Sequence, residues 1–342
     1  MERLARAVNI SRWFRFPAAE TEAHFRHFIT DADLDLLGAL GVTAVRLAVD
    51  PEHILDRAAR DRSNPQRLAW LDEAVTRFTR RGLAVVIDFH DEHRLLESGP
   101  AAVDAVDRFW SAFAAHFSST DPDAVLLEVV NEPVFLDAPA DWLPIQRRLV
   151  ATIRAAAPHH TIVTGGVRWS GVDGLLLNEP VDDPNVVYTF HFYEPFLFTH
   201  QGAPWSNHPP KDLAGVPYPS SLWSVLPLLS PRDRAGGAAL IQYGREGWDR
   251  KRIGQRIAAA SQWAGRHAVP LWAGEFGAYP AVAPQEDRFR WLRDVRTSLE
   301  RHGIGWAVWS YDESLGLNRT IDAAGKVTID WSAAEALGLG TR

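Results

Sequence analysis

Short, almost continuous apolar runs alternate along the chain with longer segments whose apolar residues recur every three or four positions. The first kind reads as strands covered on both faces. They fall at Arg6–Ser11, Thr43–Val49, Leu83–His90, Val125–Glu132, Thr161–Gly165, Asn185–Tyr193, Pro270–Phe276 and Gly305–Tyr311. The second kind reads as amphipathic helices: Arg67–Gly82 with its glycine stop, Ala101–Phe117, Trp142–Pro158, Arg250–His267 and Asp287–Gly303. Strand and helix in alternation predict βα units around a parallel sheet. Eight strands in 342 residues predict an α/β fold of the closed (β/α)8 type, one catalytic domain over residues 1–342. The competing architecture is an open doubly wound sheet, which the lack of a GxGxxG turn after the first strand disfavours.

One interval breaks the rhythm. Glu194–Gly244, after the sixth strand, holds eight prolines together with Trp205, Tyr218 and Trp223. It reads as a long ordered loop inserted in the barrel, since loops of this length in compact domains are functional or disordered and its aromatics favour packing. Arg319–Asp330 reads as a hairpin around Ala324-Gly325.

Composition narrows the function classes. A net charge of -7 disfavours a general nucleic-acid role, and the absence of cysteine excludes disulfides and thiolate metal sites. No apolar run is long enough for a membrane span, and Met1–Asn9 has no apolar leader core. Fourteen tryptophans divide between core and flat platforms on which the apolar faces of sugar rings could stack.

Chemistry in such a barrel gathers at the C-terminal strand ends. Those ends carry Arg46 (second strand), His90 (third), Asn131 and Glu132 (fourth), His191 and Tyr193 (sixth), Glu275 (seventh) and Trp309 (eighth), with Trp169 just after the fifth. Glu132 and Glu275, on the fourth and seventh strands, face each other across the mouth. Two facing carboxylates suit glycoside hydrolysis, one as acid and the other as nucleophile or base, in surroundings that separate their pKa values. Glu128 shares the parity of Glu132 and is expected to point into the barrel, with Arg46 as its partner. Taken singly, each residue also has a plainer reading: the histidines and Trp309 as core, Tyr193 as rim packing, Arg46 as a neutraliser of Glu128. Trp306 reads as core, and Asp312 is a weaker site candidate. His90-Asp91-Glu92-His93 is not a zinc signature. Asn9-Ile10-Ser11 matches a glycosylation pattern but lies in a buried strand; Asn318-Arg319-Thr320 matches it too.

The ordered set of motifs resembles glycoside hydrolase family 5, the cellulase-type family of retaining (β/α)8 enzymes. "NEP" at Asn131–Pro133 looks like its acid/base motif and "GEFG" at Gly274–Gly277 like its nucleophile motif. "AVNISRWF", "VRLAV" around Arg46, "DFH" at His90, "HFY" at His191 and "WAVWSYD" follow in the expected order over nearly the whole chain. The resemblance implies that Glu132 is the general acid/base and Glu275 the nucleophile. It implies that Asn131 bonds the sugar 2-hydroxyl, that Arg46 and Tyr193 bond Glu275, and that His191 sits beside the acid/base. His90 would bond substrate hydroxyls and Trp309 would stack beneath the sugar on the nonreducing side of the cut, with Trp169 and Trp205 as further platforms.

The expected substrate is β-1,4-glucan or its oligosaccharides, cut endo- or exo-, with no cofactor and no metal. Mannan, xyloglucan and β-1,3-glucan are the alternatives, as is transglycosylation; a catalytically silent sugar-binding barrel is the reading from another class. The Glu194–Gly244 loop is expected to wall one side of the cleft, favouring exo action or short oligosaccharides over open-cleft endo cleavage; the alternative is that it extends the cleft and supplies Trp205 as a platform. An extracellular polymer substrate favours a secreted or periplasmic protein, with a cytoplasmic one as the alternative. Oligomeric state is not legible.

Overall fold

The computed structural model describes residues 1–55 and 64–340. Eight parallel strands close into a barrel in sequence order: β1 (Arg6–Phe14), β2 (Ala44–Val49), β3 (Ala84–Phe89), β4 (Val125–Glu128), β5 (Ile162–Gly165), β6 (Val186–Phe192), β7 (Leu271–Phe276) and β8 (Gly305–Val308), with β8 pairing back onto β1. Around it lie α1 (Asp31–Ala39), α2 (Pro65–Thr79), α3 (Pro100–Phe117), α4 (Trp142–Ala156), α5 (Val172–Leu176), α6 (Arg234–Glu246), α7 (Arg250–His267) and α8 (Gln285–Arg301). The expected hairpin is present as Thr320–Ile321 paired with Val327–Thr328. No described helix is long and apolar enough to cross a membrane.

Strand alternation separates two apolar regions. Outward residues such as Val45, Leu47, Val85, Ile87 and Leu127 join the helices in a shell. Inward residues form a distinct plug of Ala7, Ala44, Ala84, Val86, Leu126, Val163, Val187, Trp272 and Ala307. The register aligns Ala7 with Ala44, Ala44 with Ala84 and Ala7 with Ala307. Four adjacent strands thus offer methyl groups at one level, leaving room for the Trp272 indole from β7. Interiors at crystal-like density need such pairing of small with large.

The helices dock through the faces their periodicity marked. On α3, Val103, Val106, Phe109, Trp110, Phe113 and Phe117 are buried at spacings of three and four. Four helices or their flanks also fix themselves to the barrel by an indole N–H: Trp110 Nε1 donates to Val129 O (3.0 Å), Trp142 Nε1 to Gly165 O (3.0 Å), Trp263 Nε1 to Asn178 O (3.1 Å) and Trp291 Nε1 to Glu194 O (3.0 Å). Much of the tryptophan content is therefore architectural.

Two expectations need correction. The fourth strand stops at Glu128, not Glu132. The chain beyond it stays extended and tied, with Val129 N donating to Val163 O (2.9 Å) and Asn131 N to Phe89 O (3.0 Å). The interval Glu194–Gly244 is not loop throughout, because α6 begins at Arg234, capped by the Asp233 carboxylate on Gly236 N (2.8 Å). Glycines 236, 237 and 244 lower helix propensity and hid it. Gly244 is needed there, since a Cβ would sit 2.8 Å from Val225 Cγ2 and 2.9 Å from Ser221 O. The irregular part is pinned by Tyr218 Oη to Asp294 (2.8 Å) and Tyr243 Oη to Pro217 O (2.6 Å).

Candidate active site

The site starts from one guanidinium. Arg46 on β2 is fully buried, and all five of its N–H donors are used. Nε and Nη2 grip Glu128 (2.6 and 2.8 Å), Nη2 also reaches Asn131 Oδ1 (2.8 Å), and Nη1 reaches Asn9 Oδ1 (3.0 Å) and Glu275 Oε1 (2.7 Å). Asp88 lies 3.1 Å from Nη2. The inward Glu128 and its Arg46 partner are thus as expected from parity. Asn9, buried and donating to Gly274 O (3.0 Å) and Val308 O (3.2 Å), is no glycan acceptor.

Charge here is unbalanced: Asp88, Glu128 and Glu275 share one buried cation. Burial therefore pushes Asp88 and Glu128 each up to about 7, against the pull of Arg46. A second relay runs from Asp88 through His90. His90 Nδ1 lies 2.6 Å from Asp88 Oδ2 and Nε2 lies 3.1 Å from Asn131 Nδ2. A neutral ring donating to Asp88 and accepting from Asn131 satisfies both contacts, and burial keeps the His90 pKa well below its ordinary value.

Glu275 stands one residue before the end of β7, 4% exposed, between Arg46 and the Tyr193 hydroxyl, which donates to Oε2 (2.8 Å). Gly274 before it lets β6 close in, since a Cβ would meet Thr189 Oγ1 at 2.5 Å. Burial raises the Glu275 pKa, opposed by His191, Arg46 and the Tyr193 hydrogen bond. Glu132 has a different setting. Its side chain is about one-quarter exposed and bonded to His191 Nδ1 (2.7 Å); desolvation pushes it up to about 8, against the pull of Arg46 and Arg15. Burial lowers His191 to about 4, so it faces Glu132 as a neutral ring. Ligand atoms of Glu132, His191 and Glu275 all lie within 4.8 Å of one another. A carboxyl pushed up by desolvation faces one held by two donors, and the two can work as acid and nucleophile on one bond.

The structure brings together Arg46, His90, Asn131, Glu132, His191, Tyr193, Glu275 and Trp309. Trp309 is only 7% exposed, stacked on His90 (centroids 5.5 Å apart, 28° between planes). Trp169 stands at the rim, 49% exposed, its backbone N–H donating to Pro133 O (3.2 Å), next to Glu132. Trp205 is 54% exposed and lies edge-on to Tyr279 at 5.0 Å; Tyr279, like Tyr193, packs against the cluster of Ala48, Trp309 and Leu315. Trp223, 83% exposed, stands on a helical turn against α6. Asp312 accepts from Ser11 N (3.0 Å) and Arg12 N (2.8 Å), tying the segment after β8 to β1.

Sequence reasoning passed over Asp88, Tyr279 and an ion pair of Arg15 with Glu92. Asp88 carried a signal, the parity of His90. The others sit in loops, where no period marks direction.

The profile of the family described as Cellulase (glycosyl hydrolase family 5) matches residues 9–314. Endoglucanase 3 of Fibrobacter succinogenes is 25% identical over 331 residues, covering 91% of this chain and 50% of its own length, so the chain spans about half of that relative. Endoglucanase C of Acetivibrio thermocellus is 25% identical over 314 residues, covering 89% of this chain and 90% of its own. Among solved structures, Thermotoga maritima Cel5A in complex with cellobiose superposes with a TM-score of 0.79 at 25% identity, over 98% of both chains.

Proposed function

This chain belongs to glycosyl hydrolase family 5, and from that premise we propose that it hydrolyses β-1,4-glucan or its oligosaccharides with retention, using Glu275 as nucleophile and Glu132 as acid/base. The observation that carries the reading is the contrast between two carboxylates whose oxygens approach within 4.8 Å. Retention uses carboxyl groups about 5 Å apart, whereas inversion leaves about 6.5–9.5 Å for a water.

In the first step a Glu275 oxygen bonds to the anomeric carbon as the glycosidic C–O bond breaks, and the Glu132 proton passes to the leaving oxygen. In the second, Glu132 takes a proton from water, whose oxygen displaces Glu275 from the same carbon. Arg46 and Tyr193 keep Glu275 ionised and aimed; their bonds to it are present before substrate arrives, so no reorganisation is needed. Tyr193→Phe should lower kcat/KM by about 100-fold to 1000-fold, the share of one positioned donor, with folding unchanged; equal rates for the two proteins would remove Tyr193 from this role.

Because Glu132 must begin protonated and is held near 8, kcat/KM should fall as pH rises through about 8, tenfold per unit. With an activated aryl leaving group, Glu132→Gln should lose that limb; a limb that survives the substitution belongs to another residue.

A panel of β-linked glucan, mannan, xyloglucan, β-1,3-glucan and aryl β-glycosides tests the function. Cleavage of β-1,4-glucan or its oligosaccharides is expected, with the β-anomer seen first by NMR. An α-anomer seen first defeats retention, and an untouched panel defeats the hydrolase. Export belongs to the same proposal, since a polymer that cannot enter a cell must be met outside it.

A further inference from the structure

The two sides of the carboxylate pair differ. The sugar whose anomeric carbon is attacked rests on Glu275, and the leaving oxygen points to Glu132. Glu132 runs into Pro133 and Trp169, so that rim receives the leaving group. The Trp309 backbone N–H donates to Phe276 O (2.8 Å), next to Glu275, and its ring stacks on His90. These two therefore border the attacked sugar on its nonreducing side.

Just there the loops after β1 and β3 meet. Arg15 Nε pairs with Glu92 Oε1. The Arg15 guanidinium lies over the Trp309 ring (5.1 Å to centroid) and over Phe16 (4.2 Å), and Nη1 donates to Ser11 Oγ (3.0 Å). Glu92 Oε1 also lies 3.3 Å from His90 Nε2. The pair is mostly buried, with side chains 15% and 26% exposed. Arg15 thus covers ring surface that a second sugar would need. Arg15 Nη2 and Glu92 Oε2 make no hydrogen bond among the described residues, leaving one donor group and one acceptor for the hydroxyls of a terminal sugar.

We propose that Arg15 and Glu92 form a bar across the nonreducing end of the cleft, which admits one sugar there and makes this glycosidase exo-acting. The inference rests on the hydrolase reading above and adds specificity to it. A charged bridge between two loops, partly buried against an aromatic ring, is a sturdier stop than a mobile loop, because breaking it strands a desolvated charge.

The test compares direct aryl release from p-nitrophenyl β-glucoside and β-cellobioside, and the first products from cellotetraose. Wild type should prefer the glucoside and yield glucose with cellotriose. Arg15→Ala should raise the cellobioside-to-glucoside ratio of kcat/KM at least about tenfold, a moderate change for a specificity contact, and bring cellobiose into the first products. Arg15→Lys, which keeps the charge, should hold the wild-type pattern, and Glu92→Ala should repeat the alanine result from the other loop if Arg15→Ala does not fold. Loss of general stability would lower both aryl activities together and leave the ratio still. A wild type that cuts cellotetraose in the middle, or ratios unmoved in both alanine variants, overturns the bar alone. A wild type that cleaves no β-glycoside overturns the hydrolase reading with it.

Discussion

Glu275→Ala should lose hydrolysis of unactivated β-glycosides by roughly 10⁴-fold or more, the scale seen when a covalent nucleophile is removed. The fold should persist, because Arg46 keeps Glu128, Asn9 and Asn131 as partners. What remains is a small buried vacancy lined by Arg46 Nη1 and the Tyr193 hydroxyl, the two donors that had held the carboxylate. An anion such as azide or formate fits that setting. With an activated aryl β-glycoside, azide should attack from the vacated face and give the α-glycosyl azide. The same experiment on Glu132→Ala should give the β-glycosyl azide, because there Glu275 still forms the intermediate and azide replaces the second-step water. NMR of the product anomers assigns the roles: the β-azide from Glu275→Ala would exchange them, and full activity in Glu275→Ala would end the mechanism.

The second large effect is on stability. Arg46→Met should destabilise the protein by about 3–5 kcal/mol, the range for removing one partner of a buried ion pair. For a chain of this size that is a fall in Tm of several degrees. The cause is specific: Asp88, Glu128 and Glu275, all buried, would lose their shared cation, and Glu128 and Glu275 would lose three directed hydrogen bonds. Lower pH should shrink the loss, since protonated carboxyls need no counter-charge, and with two of them already held near 7 the difference should narrow between pH 8 and pH 5. Activity should fall with stability, as Glu275 loses the group that keeps it ionised. Scanning calorimetry at the two pH values measures this; a Tm that does not move would mean the node is not under electrostatic load.

The parts of this picture that were legible beforehand are those governed by period. Eight parallel-strand runs, five helices, the place of Arg46 on the second strand and the strand-end positions of His90, His191 and Glu275 follow from alternation and from the rule that places chemistry at one end of the barrel. Parity even placed Glu128 inside against Arg46. Where period fails, the sequence misleads. Alternation predicts a strand through Glu132, yet the strand ends four residues earlier, because an extended backbone and a strand share the same alternation. Helix α6 was hidden by its glycines. Arg15 and Glu92 are 77 residues apart in loops, and nothing in either loop's composition announces that the two converge.

The Arg46 node has a consequence for how the barrel comes together. Its contacts join β1 through Asn9, β3 through Asp88, the extension of β4 through Asn131, and β7 through Glu275. A half-barrel ending after β4 would hold the cation and two of its buried acids but lack Glu275, and the Trp272 indole that fills the alanine-lined interior would be missing too. Such an intermediate would already hold four of the five Arg46 hydrogen bonds, and the late strands complete the node with Glu275 and fill the interior with Trp272. Cuts or permutations that delay β7 should expose the chain to misassembly, whereas those in the hairpin at Ala324-Gly325 should be borne easily. The chemistry at the mouth is also the latch of the ring.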